Sequence, residues 1–119
     1  PNLVVEKFRP EREGGLFYLR YWMFLGDRER SCRYGAASPI VKFRMMATPE
    51  QPVPVPDELR KVRAQLGFDY GRFDYVVDNG ETVLLDTNKT VGGGHDTEKY
   101  TAELDLLADG MGSFDHTWR

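Results

Sequence analysis

A single cysteine, Cys32, stands among the 119 residues. An internal disulfide framework is therefore excluded, and a reducing, cytoplasmic setting is expected. Histidine is nearly as scarce. His95 and His116 are the two, neither has a second histidine or a cysteine at ligand spacing, and zinc is not expected. The longest apolar stretch, Leu16 to Leu25, is too short to span a bilayer and is interrupted by Arg20, and no signal-peptide pattern is present. There is no basic excess either: 16 Lys/Arg face 19 Asp/Glu, for a net charge of −3. Nucleic acid would want a clearly basic domain, so neither nucleic acid nor membrane is expected as a partner. No nucleophile–His–acid set, heptad run or internal repeat occurs. What is there, 40% hydrophobic and 13% aromatic residues, is enough for one globular domain over residues 1–119 with a modest core.

The richest stretch is residues 71–89, GRFDYVVDNGETVLLDTNK. It reads as a β-hairpin with Arg72 and Asp74 on one strand and Asp86 and Asn88 on the other. Aspartate and asparagine are poor strand formers, and a carboxylate among β-branched and aliphatic neighbours is costly unless paired or bound. Three hard oxygen donors on adjacent strands suit Mg²⁺ that also holds nucleotide phosphates, and Arg72 suits the remaining phosphate charge. The alternative is two unrelated surface acids on an edge hairpin. The turn separates these readings. A two-residue Asn79-Gly80 loop pairs Asp78 with Glu81, sets Asp74 opposite Leu85 and sends Asp86 to the other face. A three-residue loop, Asp78-Asn79-Gly80, sets Asp74 diagonal to Asp86 with Asn88 on the same face. A metal site therefore requires an odd loop or a β-bulge.

Arg72-Phe73-Asp74 and Leu85-Asp86-Thr87-Asn88 resemble the two strand motifs that close the nucleotide site in the ATP-grasp superfamily, which includes D-alanine–D-alanine ligase and other carboxylate–amine ligases. Asp86 stands where glutamate is commoner, and Thr87 occupies a hydrophobic slot. The resemblance implies that Asp74, Asp86 and Asn88 hold Mg²⁺, with Asp86 bridging two ions, and that Arg72 stabilises the transferring phosphoryl group. Leu3 to Phe8 is similar to the family's hinge strand, whose backbone and first glutamate, Glu6, meet the adenine, with Phe8 beside it. Glu13, seven residues on, falls where a second glutamate accepts the ribose hydroxyls. After Asn88 the family often continues to a Pro-Gly turn, whereas this chain has Lys89-Thr90-Val91 and then Gly92-Gly93-Gly94.

The remaining sequence supplies a scaffold. Leu16–Leu25 is apolar on both faces and predicts a central strand, with Gly26-Asp27 as a turn and residues 29–34 as its neighbour. Arg20 within that strand is either a nucleotide- or substrate-side cation or half of a buried ion pair; Arg33 reads as an ordinary surface residue. Four prolines in residues 49–56 predict a loop. Asp57 and Glu58 open a helix with Leu59, Val62 and Leu66 on its apolar stripe and Gly67 at its stop. The triple glycine reads as a linker or as a loop approaching phosphate. Asp96 or Thr97 caps a last helix presenting Tyr100, Leu104, Leu107, Ala108 and Met111. Charge is uneven: residues 1–44 hold nine Lys/Arg against five Asp/Glu, and residues 45–119 hold seven against fourteen.

The expected fold is α+β, an antiparallel sheet backed by two helices, corresponding to a C-terminal ATP-grasp subdomain. The resemblance implies ATP and Mg²⁺ as cofactors, small-molecule carboxylate and amine-type substrates, and acyl phosphate chemistry. The alternative is a nucleotide- or metal-binding module without catalysis. Pro1 in place of an initiator methionine, with a strand expected within three residues, suggests a piece of a longer chain. Its N-terminal portion would then be the other half of the clamp.

Overall fold

The computed structural model describes residues 8–89 and 97–118. Six antiparallel strands form one sheet: β1 (Glu11–Glu13), β2 (Leu16–Leu25), β3 (Arg28–Ala36), β4 (Gln51–Pro52), β5 (Tyr70–Asp78) and β6 (Glu81–Asn88). Helix α1 spans Asp57–Leu66, and α2 spans Thr97–Ala108 before a 3-10 segment from Asp109 to Trp118. The strand order is β4-β3-β2-β5-β6, and β1 pairs with β2 beside the end of β5. The architecture is α+β. No described helix is long and apolar enough to cross a membrane.

The central strand is the one whose sequence is apolar on both sides, β2, because each of its faces carries a core. Trp22 and Phe24 point one way and pack with Phe73, Tyr75 and Leu59 of α1, all almost fully buried. Tyr21 and Met23 point the other way and pack with Cys32, Tyr34 and Leu107 of α2. The two helices therefore cover opposite faces of the sheet. At the β2–β3 turn Gly26 takes a positive φ of 58°, which glycine alone adopts without strain.

Three expectations differ in detail. Residues 49–56 are not wholly loop, since Gln51 and Pro52 pair with Arg33 and Cys32. β4 is an edge strand, the one sheet position where proline's missing N–H is harmless. Leu66 is exposed, and Arg63 takes its place on the stripe, with its guanidinium 4.0 Å from the Phe24 ring centroid and bonded to the carbonyls of Phe68 and Gly26. Burial lowers the pKa of that guanidinium. Leu104 and Ala108 on α2 are exposed, as is Met111 in the 3-10 segment that follows it. The docking face runs instead through Glu103, paired with Arg30 at 3.3 Å, Leu107 and Gly110, which lies flush on the Leu25 carbonyl. The triple glycine, His95 and Asp96 lie outside the described residues.

Candidate metal and nucleotide site

The β5–β6 turn is the two-residue form. Asn79 and Gly80 both take positive φ, 51° and 79°, as a type I′ turn requires, and Asp78 pairs with Glu81. The ladder runs regularly through Val77–Thr82, Val76–Val83 and Tyr75–Leu84. It then slips at Asp74/Tyr75, so that Asp74 pairs with Asp86 and Leu85 is left without a partner. An uninterrupted ladder would set Asp86 opposite Phe73, inside the aromatic cluster with Trp22 and Phe24. Burying a carboxylate there is far costlier than one bulge. The slip instead brings Thr87 opposite Phe73 and turns Asp86 to the face of Asp74.

Arg72, Asp74, Asp86 and Asn88 thus share one face, the face of Tyr21 and Met23, because Asp74 pairs with Tyr21 and Arg72 with Met23. Arg72 Nε donates to Asp74 Oδ1 at 2.7 Å, and its guanidinium sits 4.3 Å from the Tyr21 ring centroid. Asn88 Nδ2 donates to Asp86 Oδ2 at 3.0 Å. Burial pushes the Tyr34 phenol up, and the charge of Arg72 partly offsets this. Two carboxylates directly opposite each other on neighbouring strands repel, and Arg72 offsets that repulsion from one side only. Among the described residues no group of three or more His, Cys, Asp or Glu could hold a metal. The donor set here is two carboxylates and one amide oxygen.

A cavity of about 380 Å³ is lined chiefly by Phe8, Phe17, Leu19, Ile40, Val76 and Leu85, the last being the residue before Asp86. Phe8 (64%), Ile40 (68%) and Leu85 (54%) are unusually exposed for their types. Only Phe8 of this lining was expected as a site residue. The bulge contributes here as well, since Leu85, freed from pairing, reaches the cavity adjoining Asp86. The sequence signal for it was the unequal spacing of the two hairpin acids from the turn.

The segment carrying Phe8 is pinned by its neighbour. Arg9 Nε meets Asp78 Oδ2 at 3.0 Å, and Arg9 Nη2 meets Glu81 Oε2 at 2.8 Å. The hydrogen bond from Arg9 holds the Glu81 carboxyl below its usual range. A carboxyl with a depressed folded-state pKa adds stability that is present above its unfolded pKa and lost as pH falls through the folded one. Glu81 is exposed, so the effect on stability is small. Its titration is the clearer reading: in Arg9→Ala, carboxyl NMR should show Glu81 returning upward to the ordinary range.

Arg20 and Glu13 are not brought to this site. Arg20 pairs across the strands with Tyr75 and Arg33, and Glu13 with Leu16, which sets both on the α1 face, opposite Asp74. Arg20 donates to Glu11 from Nε at 2.8 Å and from Nη2 at 3.0 Å, the buried ion pair that was its other reading. Glu13 pairs with Arg33 at 2.8 Å. Strand alternation leaves neither able to reach a phosphate or ribose held beside Asp74. Glu6 lies outside the described residues.

No protein-family model matches this chain, and no curated protein is similar enough to it to count as a relative.

Proposed function

We propose that this chain is the C-terminal nucleotide- and Mg²⁺-binding subdomain of an ATP-grasp enzyme, one that activates a carboxylate as an acyl phosphate for attack by an amine or similar nucleophile. The observation that carries the reading is the bulge at Leu85. The turn is even-numbered, and without the slip the acids would part to opposite faces, yet Asp74 and Asp86 pair directly. The slip keeps Asp86 out of the aromatic cluster, and it leaves two carboxylates opposed, an arrangement that a cation between them would stabilise.

The residues fit the ion. Asp74, Asp86 and the Asn88 amide oxygen are hard donors on one face, and they would hold it. When bound, Mg²⁺ would supply charge neutralisation at the phosphates. Arg72, fixed on the Tyr21 ring, would orient toward the transferring phosphoryl group and offset charge there. The apolar cavity under Phe8 and Leu85 would take the adenine, whose flat faces gain from leaving water. A second reading, a nucleotide- or metal-binding module without catalysis, is favoured by one contact: Arg72 is engaged by Asp74 at 2.7 Å rather than turned outward.

Both readings require binding. The acids lie on the face that α2 partly covers, with Asp86 and Asn88 exposed on the edge strand β6, so a nucleotide bound there keeps much of its surface in water. Calorimetry of this 119-residue chain with Mg²⁺·ATP should give a dissociation constant of about 1 mM, roughly −4 kcal/mol. A micromolar constant would mean a complete, enclosed site. Absence of binding would overturn the nucleotide reading. Mg²⁺-dependent phosphate release from ATP on addition of a carboxylate and an amine separates ligase from module.

A further inference from the structure

The metal-site reading leaves one neighbouring residue without a role, Gly71. Its φ lies outside the left-handed region, so its backbone conformation does not call for glycine. Space does. A Cβ at residue 71 would run into the main-chain carbonyl of Asn88, while the Phe68 ring stands 3.2 Å away on another side. The end of β6 thus crosses directly over Gly71, closer than any side chain permits. The next residue continues the same path, with Lys89 Nζ 5.6 Å from the Phe68 ring centroid. Glycine in a strand interior normally weakens it, and it is placed where another backbone must approach closely.

What that approach fixes is the last residue of β6. Asn88 lies at the strand end, where fraying is otherwise easiest, and its amide is held to Asp86 by one bond of 3.0 Å on an exposed surface. A single exposed hydrogen bond does not hold a side chain in one place. The seat made by Gly71 and Phe68 holds the main chain from the opposite side of the sheet. We propose that Gly71 is a positioning residue for Asn88: it admits the Asn88 backbone against β5, which sets the side-chain amide next to Asp86, where its oxygen would serve as the third metal donor. The inference rests on the metal-site reading of Asp74, Asp86 and Asn88.

The test is a double-mutant cycle in Mn²⁺ affinity, read by electron paramagnetic resonance on this chain. Gly71→Ala should weaken Mn²⁺ binding about tenfold or more, the usual effect of losing a residue that orients a ligand. In an Asn88→Ala background the same substitution should change affinity by less than about twofold, because the residue it acts through is gone. Equal losses in both backgrounds would mean general damage to the hairpin and would overturn the proposal, as would parent-like affinity in Gly71→Ala. If Gly71→Ala does not fold, Phe68→Leu, which removes only the ring of the seat, takes its place in the cycle with the same criteria. A parent that binds no Mn²⁺ ends the metal reading. The seat is then judged in metal-free protein, where the side-chain amide resonances of Asn88 should move in Gly71→Ala while those of Asn79 stay. An unmoved Asn88 would overturn the proposal.

Discussion

Asp86→Ala should abolish Mg²⁺-dependent nucleotide binding while leaving the metal-free protein at least as stable as the parent. The two halves of that result have one cause. Asp86 is exposed, stands directly opposite Asp74, and has one hydrogen bond among the described residues, from the neighbouring Asn88 amide. Without a cation between them the two carboxylates repel, and removing one relieves this by up to about 1 kcal/mol. With a cation, the same substitution removes the donor best placed to bridge. Urea unfolding in the presence of a chelator, beside calorimetry with Mg²⁺·ATP, reads both. A marked loss of stability in the metal-free variant would make Asp86 a structural residue and end its proposed role.

The largest loss of stability is expected from Glu11→Ala. Glu11 is only 7% exposed and satisfies four donors at once. Its Oε1 accepts from Arg20 Nε and from the Val77 backbone N–H, both at 2.8 Å, and its Oε2 accepts from Arg20 Nη2 at 3.0 Å and Arg33 Nη1 at 3.4 Å. It sits where β1 replaces β5 along the edge of β2, so one carboxylate ties β1 to three other strands. Removing it leaves two largely buried guanidinium groups facing each other across the β2–β3 ladder, and an orphaned Val77 N–H. Breaking a buried pair from one side costs about 3–5 kcal/mol. Arg33 keeps Glu13, so the lower end of that range is expected. Urea unfolding should also show that pairing Glu11→Leu with Arg20→Met recovers most of the loss, since no uncompensated charge then remains at Arg20. A change below about 1 kcal/mol in Glu11→Ala would mean that solvent screens the network.

The sequence alone was enough for the elements whose cause is local. The run Leu16–Leu25, apolar on both faces, could only be a central strand. Asp57 and Glu58 at its start and Gly67 at its end bounded α1, and Gly67 does adopt the left-handed conformation, with φ 69°. Asn79-Gly80 marked the turn and left a two-residue or a three-residue loop open. The two hairpin acids were conspicuous because strands avoid aspartate, and the requirement for an odd loop or a bulge followed from alternation alone.

Which of those two devices is used was a tertiary decision. The bulge exists because the other face of β6 meets Phe73, Trp22 and Phe24, and no property of residues 81–88 by themselves reports that cluster. The docking face of α2 depends on packing in the same way. Apolar periodicity counts side chains, whereas α2 docks through a carboxylate on Arg30, and the 3-10 segment after it through Gly110, where the absence of a side chain is what fits. Arg20 could not be assigned from its own strand, because its partner Glu11 is held in turn by a backbone donor 66 residues away at Val77. Pattern and propensity are properties of neighbours in the chain, and they settled the long strands and the existence of the helices. The one-residue slip that aligns the acids, and the counterion each arginine receives, depend on which distant surfaces meet, and only packing decides that.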